Sequence, residues 1–153
     1  MSPSYRFRTV WRLPHAPERV WDVLADVERY PDWWPQVRSG RRIDATSGEV
    51  TCRSLLPYDL TFRLRRDVED RSALILRARM DGDLVGTSQW TVRADGPGCE
   101  AVFEEEVSVG RSAVRLAGRL VRPALVFNHG LMMRAGERGL RRYLATQDTS
   151  DEA

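Results

Sequence analysis

The most constraining feature of this sequence is a change of period near residue 110. From Val37 to Val109 apolar residues recur at every second position, the spacing of half-buried strands. From Ser112 to about Ala145 they recur at helical spacing instead. The strand region is punctuated by Ser47-Gly48, Pro57, Glu69-Asp70-Arg71, Asp81-Gly82-Asp83 and Asp95-Gly96-Pro97-Gly98, all turn-forming residues. Six strands are predicted, near residues 37–45, 49–55, 58–68, 72–80, 83–94 and 99–109. Consecutive strands joined by such short turns pair antiparallel, as a meander.

The N-terminus adds a seventh strand. Tyr5, Phe7, Thr9, Trp11 and Leu13 share one face, and Arg6, Arg8 and Arg12 the other. Pro14-His15-Ala16-Pro17 stops that strand, and Val20, Trp21, Leu24 and Val27 predict a helix from Pro17 to about Glu28. Pro31 and Pro35 bracket a second, very short helix or turn. Seven strands of one antiparallel sheet need a cover for their apolar face. Only the C-terminal helix is large enough: residues 112–145 would span roughly 50 Å, with a kink or break expected at Pro123. The fold class is therefore α+β, one domain over residues 1–146, with a flexible tail expected at 147–153.

Composition narrows the functions. The 153 residues suit one domain, and a net charge of +2 gives no reason to expect nucleic acid or an anionic membrane as the main partner. All 24 basic residues are arginine, a bias that points to a GC-rich genome such as an actinobacterium's. Without lysine there is no Schiff-base chemistry. Cys52 and Cys99 form no CxxC pair, no apolar leader or membrane span is present, and a cytoplasmic protein is expected. No metal, phosphate-loop, dinucleotide or nucleophile-elbow motif occurs, so neither metal nor cofactor is expected.

The element order, together with Val23-Leu24-Ala25-Asp26-Val27-Glu28-Arg29-Tyr30-Pro31-Asp32-Trp33-Trp34-Pro35, resembles the polyketide cyclase/dehydrase branch of the START-like (SRPBCC, helix-grip) superfamily. Asp26, Tyr30, Pro31, Trp33 and Pro35 stand at positions of its signature, and Asn128-His129 with Met133, Gly136, Gly139 and Leu140 is similar to its C-terminal helix. The resemblance implies a helix-grip fold, with the sheet wrapped around the long helix and an apolar ligand cavity between them. It also implies that Trp33 and Trp34 lie near the cavity mouth. There they would act as a lid or stacking wall, or else one plugs the core and the other caps the helix. Aromatase/cyclase relatives place an arginine in the pocket. None of Arg63, Arg65, Arg77 and Arg79 matches, because their alternation turns them outward, toward Glu104 and Glu106 or other acids.

A helical wheel puts Val114, Ala117, Leu120, Val121, Ala124, Leu131, Met132 and Ala135 on one face, with Asn128 near its middle and His129 at its edge. Arg115, Arg119, Arg134, Glu137 and Arg141 lie opposite. Asn128 either anchors a ligand carbonyl or hydroxyl, or satisfies carbonyls freed by Pro123. His129 is a candidate general acid or base, or a half-exposed residue packed on the sheet edge. On residues 99–109, Ala101, Phe103, Glu105, Val107 and Val109 share a face, so Glu105 points with the apolar set. Leu84, Gly86, Ser88, Trp90 and Val92 form the matching set on the neighbouring strand, and Val50, Cys52 and Ser54 another. Glu105 and Ser88 beside Asn128 would make a polar cluster in an apolar pocket; alternatively Glu105 pairs with an arginine at an edge.

Three functions fit these readings. One is a carrier or sensor of a hydrophobic small molecule such as a polyketide, lipid or isoprenoid. Another is a cyclase or dehydratase using Asn128, His129 or Glu105 for proton transfer. The last is a partner-binding domain with a filled core. No oligomeric state is indicated.

Overall fold

The structure, a computed structural model, describes residues 4–53, 59–110 and 121–153. Seven strands form one sheet: β1 (Ser4–Leu13), β2 (Val37–Arg42), β3 (Ser47–Cys52), β4 (Leu60–Asp70), β5 (Ile75–Gly82), β6 (Leu84–Asp95) and β7 (Gly98–Val109). The spatial order is β1-β7-β6-β5-β4-β3-β2, and every neighbouring pair is antiparallel. The six predicted strands are thus a meander, and β1 joins it beside β7. Local chemistry makes two of the turns. The Asp44 carboxylate accepts the backbone N–H groups of Thr46 and Ser47 at 2.9 and 2.8 Å, and Asp70 does the same for Ser72 and Ala73.

Between β1 and β2 lie α1 (Pro17–Ala25), a 3-10 turn (Val27–Arg29) and α2 (Tyr30–Trp33). The predicted helix to Glu28 ends three residues early. Asp26 leaves helical conformation at φ −96°, ψ 78°, and the last carbonyls of α1 find partners elsewhere. The Tyr30 hydroxyl donates to Leu24 O at 2.6 Å, and the Arg66 guanidinium donates to Ala25 O. Burial pushes the Tyr30 hydroxyl far above the usual phenol range, so it stays a donor.

The C-terminal helix, α3 (Val121–Asp151), is continuous through Pro123, which lies in its first described turn. The part expected between Ser112 and Leu120 falls outside the described residues. At the other end the expected tail is helical to Asp151. Asp148 is tied down by Arg19, whose second nitrogen donates to Leu144 O at 3.0 Å.

The wheel's apolar face is offset by roughly a third of a turn. The buried positions of α3 are Leu125, Met133, Gly136, Leu140 and Leu144, and Leu131 is exposed. The cause is a close crossing over α2. A Cβ on Gly139 would stand 1.7 Å from Trp33 O, and one on Gly136 would stand 2.6 Å from the Trp34 ring. The glycines therefore mark the face that meets the fold. Around that crossing Trp11, Tyr30, Trp33, Trp34 and Trp90 pack with ring centroids 4.7–6.2 Å apart. The Trp34 indole N–H donates to Met132 O at 2.8 Å, which ties α2 to α3.

Candidate functional site

Between the concave face of the sheet and α3 lies an open space of about 220 Å³. For scale, a cavity of roughly 150 Å³ already admits a benzene-sized guest. Its wall is mostly apolar, with Val50, Phe62, Leu64, Leu76, Met80 and Val107 among the lining residues.

One inward row of the sheet organises its polar groups. In register across four neighbouring strand pairs stand Phe7, Glu105, Ser88, Ala78 and Arg66. All five line the space. Glu105 is buried because β7 alternates without a bulge from Ala101 to Val109. The small side chains of Ser88 and Ala78 leave the middle of the row open. Glu105 and Arg66 are three strand spacings apart, roughly 14 Å along the sheet. The row thus carries a carboxylate near one end and a guanidinium at the other, while Asp26, Glu28, Asp44, Arg41 and Arg42 also line the space.

At the Glu105 end α3 supplies His129. Its ring stacks on Phe7 with centroids 3.9 Å apart and 13° between planes. Its Nε2 lies 3.1 Å from Glu105 Oε2. The approach is off the ring N–H direction, so this is a close contact and not an aligned hydrogen bond. Catalytic hydrogen bonds are commonly misaligned before a ligand arrives. Cys52 also lines the space. Burial pushes its thiol up to about 12, and the Glu105 and Asp59 carboxylates add to that, so it is no nucleophile near neutral pH.

Toward the Arg66 end β4 alternates regularly as far as Arg66, and a bulge follows between Arg66 and Val68. Arg66 falls on the inward face with Phe62 and Leu64. Its guanidinium also meets Glu69 at 2.7 Å. Among the described residues four arginines line the space, Arg41, Arg42, Arg66 and Arg77, and of these the sequence singled out only Arg77, as an outward residue. The available signal for Arg66 was plain alternation: Phe62, Leu64 and Arg66 fall on one face of the strand, so Arg66 goes inward with the apolar pair. Arg63, Arg65, Arg77 and Arg79 are exposed, as their alternation predicts, although Arg77 also borders the space. Of the acids expected as partners, Asp67 serves Arg77 and Arg79, both at 3.7 Å, while Glu106 pairs with Arg6.

Of the other candidates, Asn128, Ser88, Trp90, Trp34 and Met132 line the space. Trp33 and Leu131 do not. Trp33 is buried against Trp11, Tyr30 and Trp34, and Leu131 is on the far side of α3, 39% exposed. Ser54 lies outside the described residues, as do Val114, Ala117, Leu120, Arg115 and Arg119.

Sequence comparison decides the family. Residues 13–147 match the family described as polyketide cyclase/dehydrase and lipid transport. The chain belongs to that family. No curated protein matches the sequence. Solved structures that share the fold include the ZhuI aromatase/cyclase from Streptomyces sp. R1128, with 16% identity over 92% of this chain and 96% of that one and a TM-score of 0.69. The ginseng major latex-like protein 151 from Panax ginseng reaches the same TM-score of 0.69 at 4% identity, covering 92% and 97%. The protein TTHA0849 from Thermus thermophilus gives 0.68 at 19% identity, covering 90% and 96%. The helix-grip architecture of this family member is therefore shared, while identities this low carry the fold alone.

Proposed function

We propose that this family member binds a hydrophobic small molecule between the sheet and α3, as a carrier or sensor. The observation that carries this reading is the open, mainly apolar space with polar groups along one row of the sheet and around Asp26, Arg41 and Asp44. A ligand long enough to reach from Glu105 to Arg66 would be a polyketide, lipid or isoprenoid with oxygen at its ends. A hydroxyl would meet Glu105 and His129, and a carbonyl or carboxylate would meet Arg66. The open space favours this function over a partner-binding domain with a filled core. The test is native mass spectrometry of freshly purified protein, followed by titration with a hydrophobic fluorescent probe. A co-purified ligand, or saturation at one site per chain, supports the proposal. A chain that carries nothing and takes up no probe refutes it.

The Glu105–His129 contact favours a second reading, a cyclase or dehydratase working in the same space. A carboxylate beside an imidazole can shuttle a proton at a carbon next to a carbonyl, with Arg66 polarising a distant oxygen. Turnover of a linear poly-β-keto thioester, lost in both Glu105→Gln and His129→Ala, would establish it. Binding without turnover would leave the carrier function.

A further inference from the structure

The net charge of +2 conceals a strong segregation. Between Arg111 and Arg142 the chain holds eight arginines and one acid, Glu137, for a net +7. The remaining residues therefore carry −5. Within the described part of α3, the outer face divides into two zones. Positions 123, 127, 130, 131, 134 and 138 fall within about 100° on the helix, and all six are exposed. The first zone is apolar: Phe127 is 62% exposed, Leu131 is 39%, and Val126 at its border is 48%. The second zone is basic, with Arg134 and Arg138 on the stripe and Arg142 beside it.

These side chains lack the usual reasons for standing where they do. Among the described residues none of Arg134, Arg138 and Arg142 has a carboxylate within ion-pair distance, whereas Arg6, Arg12, Arg41 and Arg77 each have one. The other large exposed apolar residues, Ile43, Val68 and Val85, stand on other parts of the fold, after β2, on β4 and on β6. The same turns of α3 line the ligand space with their inner face, through Leu125, His129, Met132 and Met133.

We propose that this outer face of α3 docks on an anionic lipid surface. Phe127, Leu131 and Val126 enter the acyl boundary while the arginines meet headgroup phosphates. A second copy of the chain fits the face poorly, because it offers Arg134, Arg138 and Arg142 no free carboxylate: Glu137, the acid beside the face, is taken by Arg141. An apolar stripe beside cations that have no carboxylate partner among the described residues suits a fluid, negatively charged interface. The use of this docking, exchange of an apolar ligand across the helix that walls its site, rests on the binding function proposed above. The docking itself does not.

The experiment is flotation of the ligand-free chain with phosphatidylcholine vesicles and with vesicles containing about one-third phosphatidylglycerol. Flotation is expected with the anionic vesicles only, and should fade as salt rises toward about 0.5 M. The double variant Arg134→Gln, Arg138→Gln should lower partitioning about 25-fold, at roughly fivefold per residue. Phe127→Ser should lower it about tenfold or more. Flotation with neither vesicle, or flotation indifferent to both variants, overturns the proposal. So does a wild-type dimer in light scattering that Phe127→Ser turns into a monomer, which would assign the face to a second copy. A lowered melting temperature for Phe127→Ser would show that this side chain packs on its own chain, and would overturn it as well. The cavity is read separately: Phe127→Ser should still saturate with the hydrophobic probe, so loss of vesicle binding and loss of ligand binding are distinguishable.

Discussion

Glu105 was legible because its neighbours in the strand are unambiguous. Ala101, Phe103, Val107 and Val109 all demand burial, so period-two alternation carries Glu105 inward with them. Nothing comparable marked His129. Its role depends on a contact across chain-distant elements, with Phe7 beneath the ring and Glu105 at its Nε2. If Glu105 is a ligand partner, Glu105→Gln preserves shape and removes charge. A hydroxyl-bearing aromatic probe should then lose about tenfold in affinity, the difference between a charge-assisted and a neutral hydrogen bond. A hydrocarbon probe of similar size should bind as before. Calorimetric titration of both probes separates the cases: an equal loss would mean that Glu105 supports the fold instead. The cysteines provide a second check at this scale. Burial pushes the thiols of Cys52 and Cys99 up to about 12 and about 11. A native thiol titration at pH 8 should therefore read no reactive groups, and unfolding should release two. Both values lie above the ordinary thiol value of 9.0, so the neutral form favours folding. The associated stability is intact below pH 9 and is lost as pH climbs toward 11 and 12, which alkaline melts would show.

At the scale of elements, the strands were easier to read than the helices. Turn residues and alternation locate all seven strands to within a few residues, because a half-buried strand writes its face directly into the sequence. A helix packed on aromatic rings does not. The inner face of α3 is set by the absence of side chains at Gly136 and Gly139, which an apolar wheel counts as nothing. The end of α1 is likewise decided from afar, by Tyr30 and Arg66 reaching its carbonyls. In an exposed helix, glycine to alanine stabilises by up to about 1 kcal/mol. At Gly139 the sign should reverse. The new methyl would meet the Trp33 backbone, which cannot turn aside as a flexible side chain can. Overpacking of this kind costs roughly 3 kcal/mol, or a melting temperature lower by about 6–12 °C in a chain of this length. Gly130, with nothing within 4 Å of its Cβ position, is the control: Gly130→Ala should leave the melt unchanged or raise it.

For the whole molecule, the consequence of the meander is one unbroken concave face, on which a single row can hold an acid at one end and a cation at the other. The space between them exists because Ser88 and Ala78 are small where their neighbours Leu76, Met80 and Trp90 are large. Volume of this kind is invisible to a sequence read one element at a time, since it depends on how far α3 stands off the sheet. It can be tested by filling. Ala78→Leu adds a side chain that points into the space between its register partners Ser88 and Arg66, one strand removed from Glu105. In a core without a void, such an insertion costs roughly 1–3 kcal/mol. Into an empty apolar space it should leave stability unchanged or raise it by up to about 2 kcal/mol, as cavity filling commonly does. The same change should abolish saturation by the hydrophobic probe. Thermal melts and probe titrations on one protein preparation read both effects. An unchanged melt with lost binding means that the space serves a ligand at some expense in packing. A sharply lowered melt would mean that the sheet and α3 close upon each other there, and that the binding function must lie elsewhere.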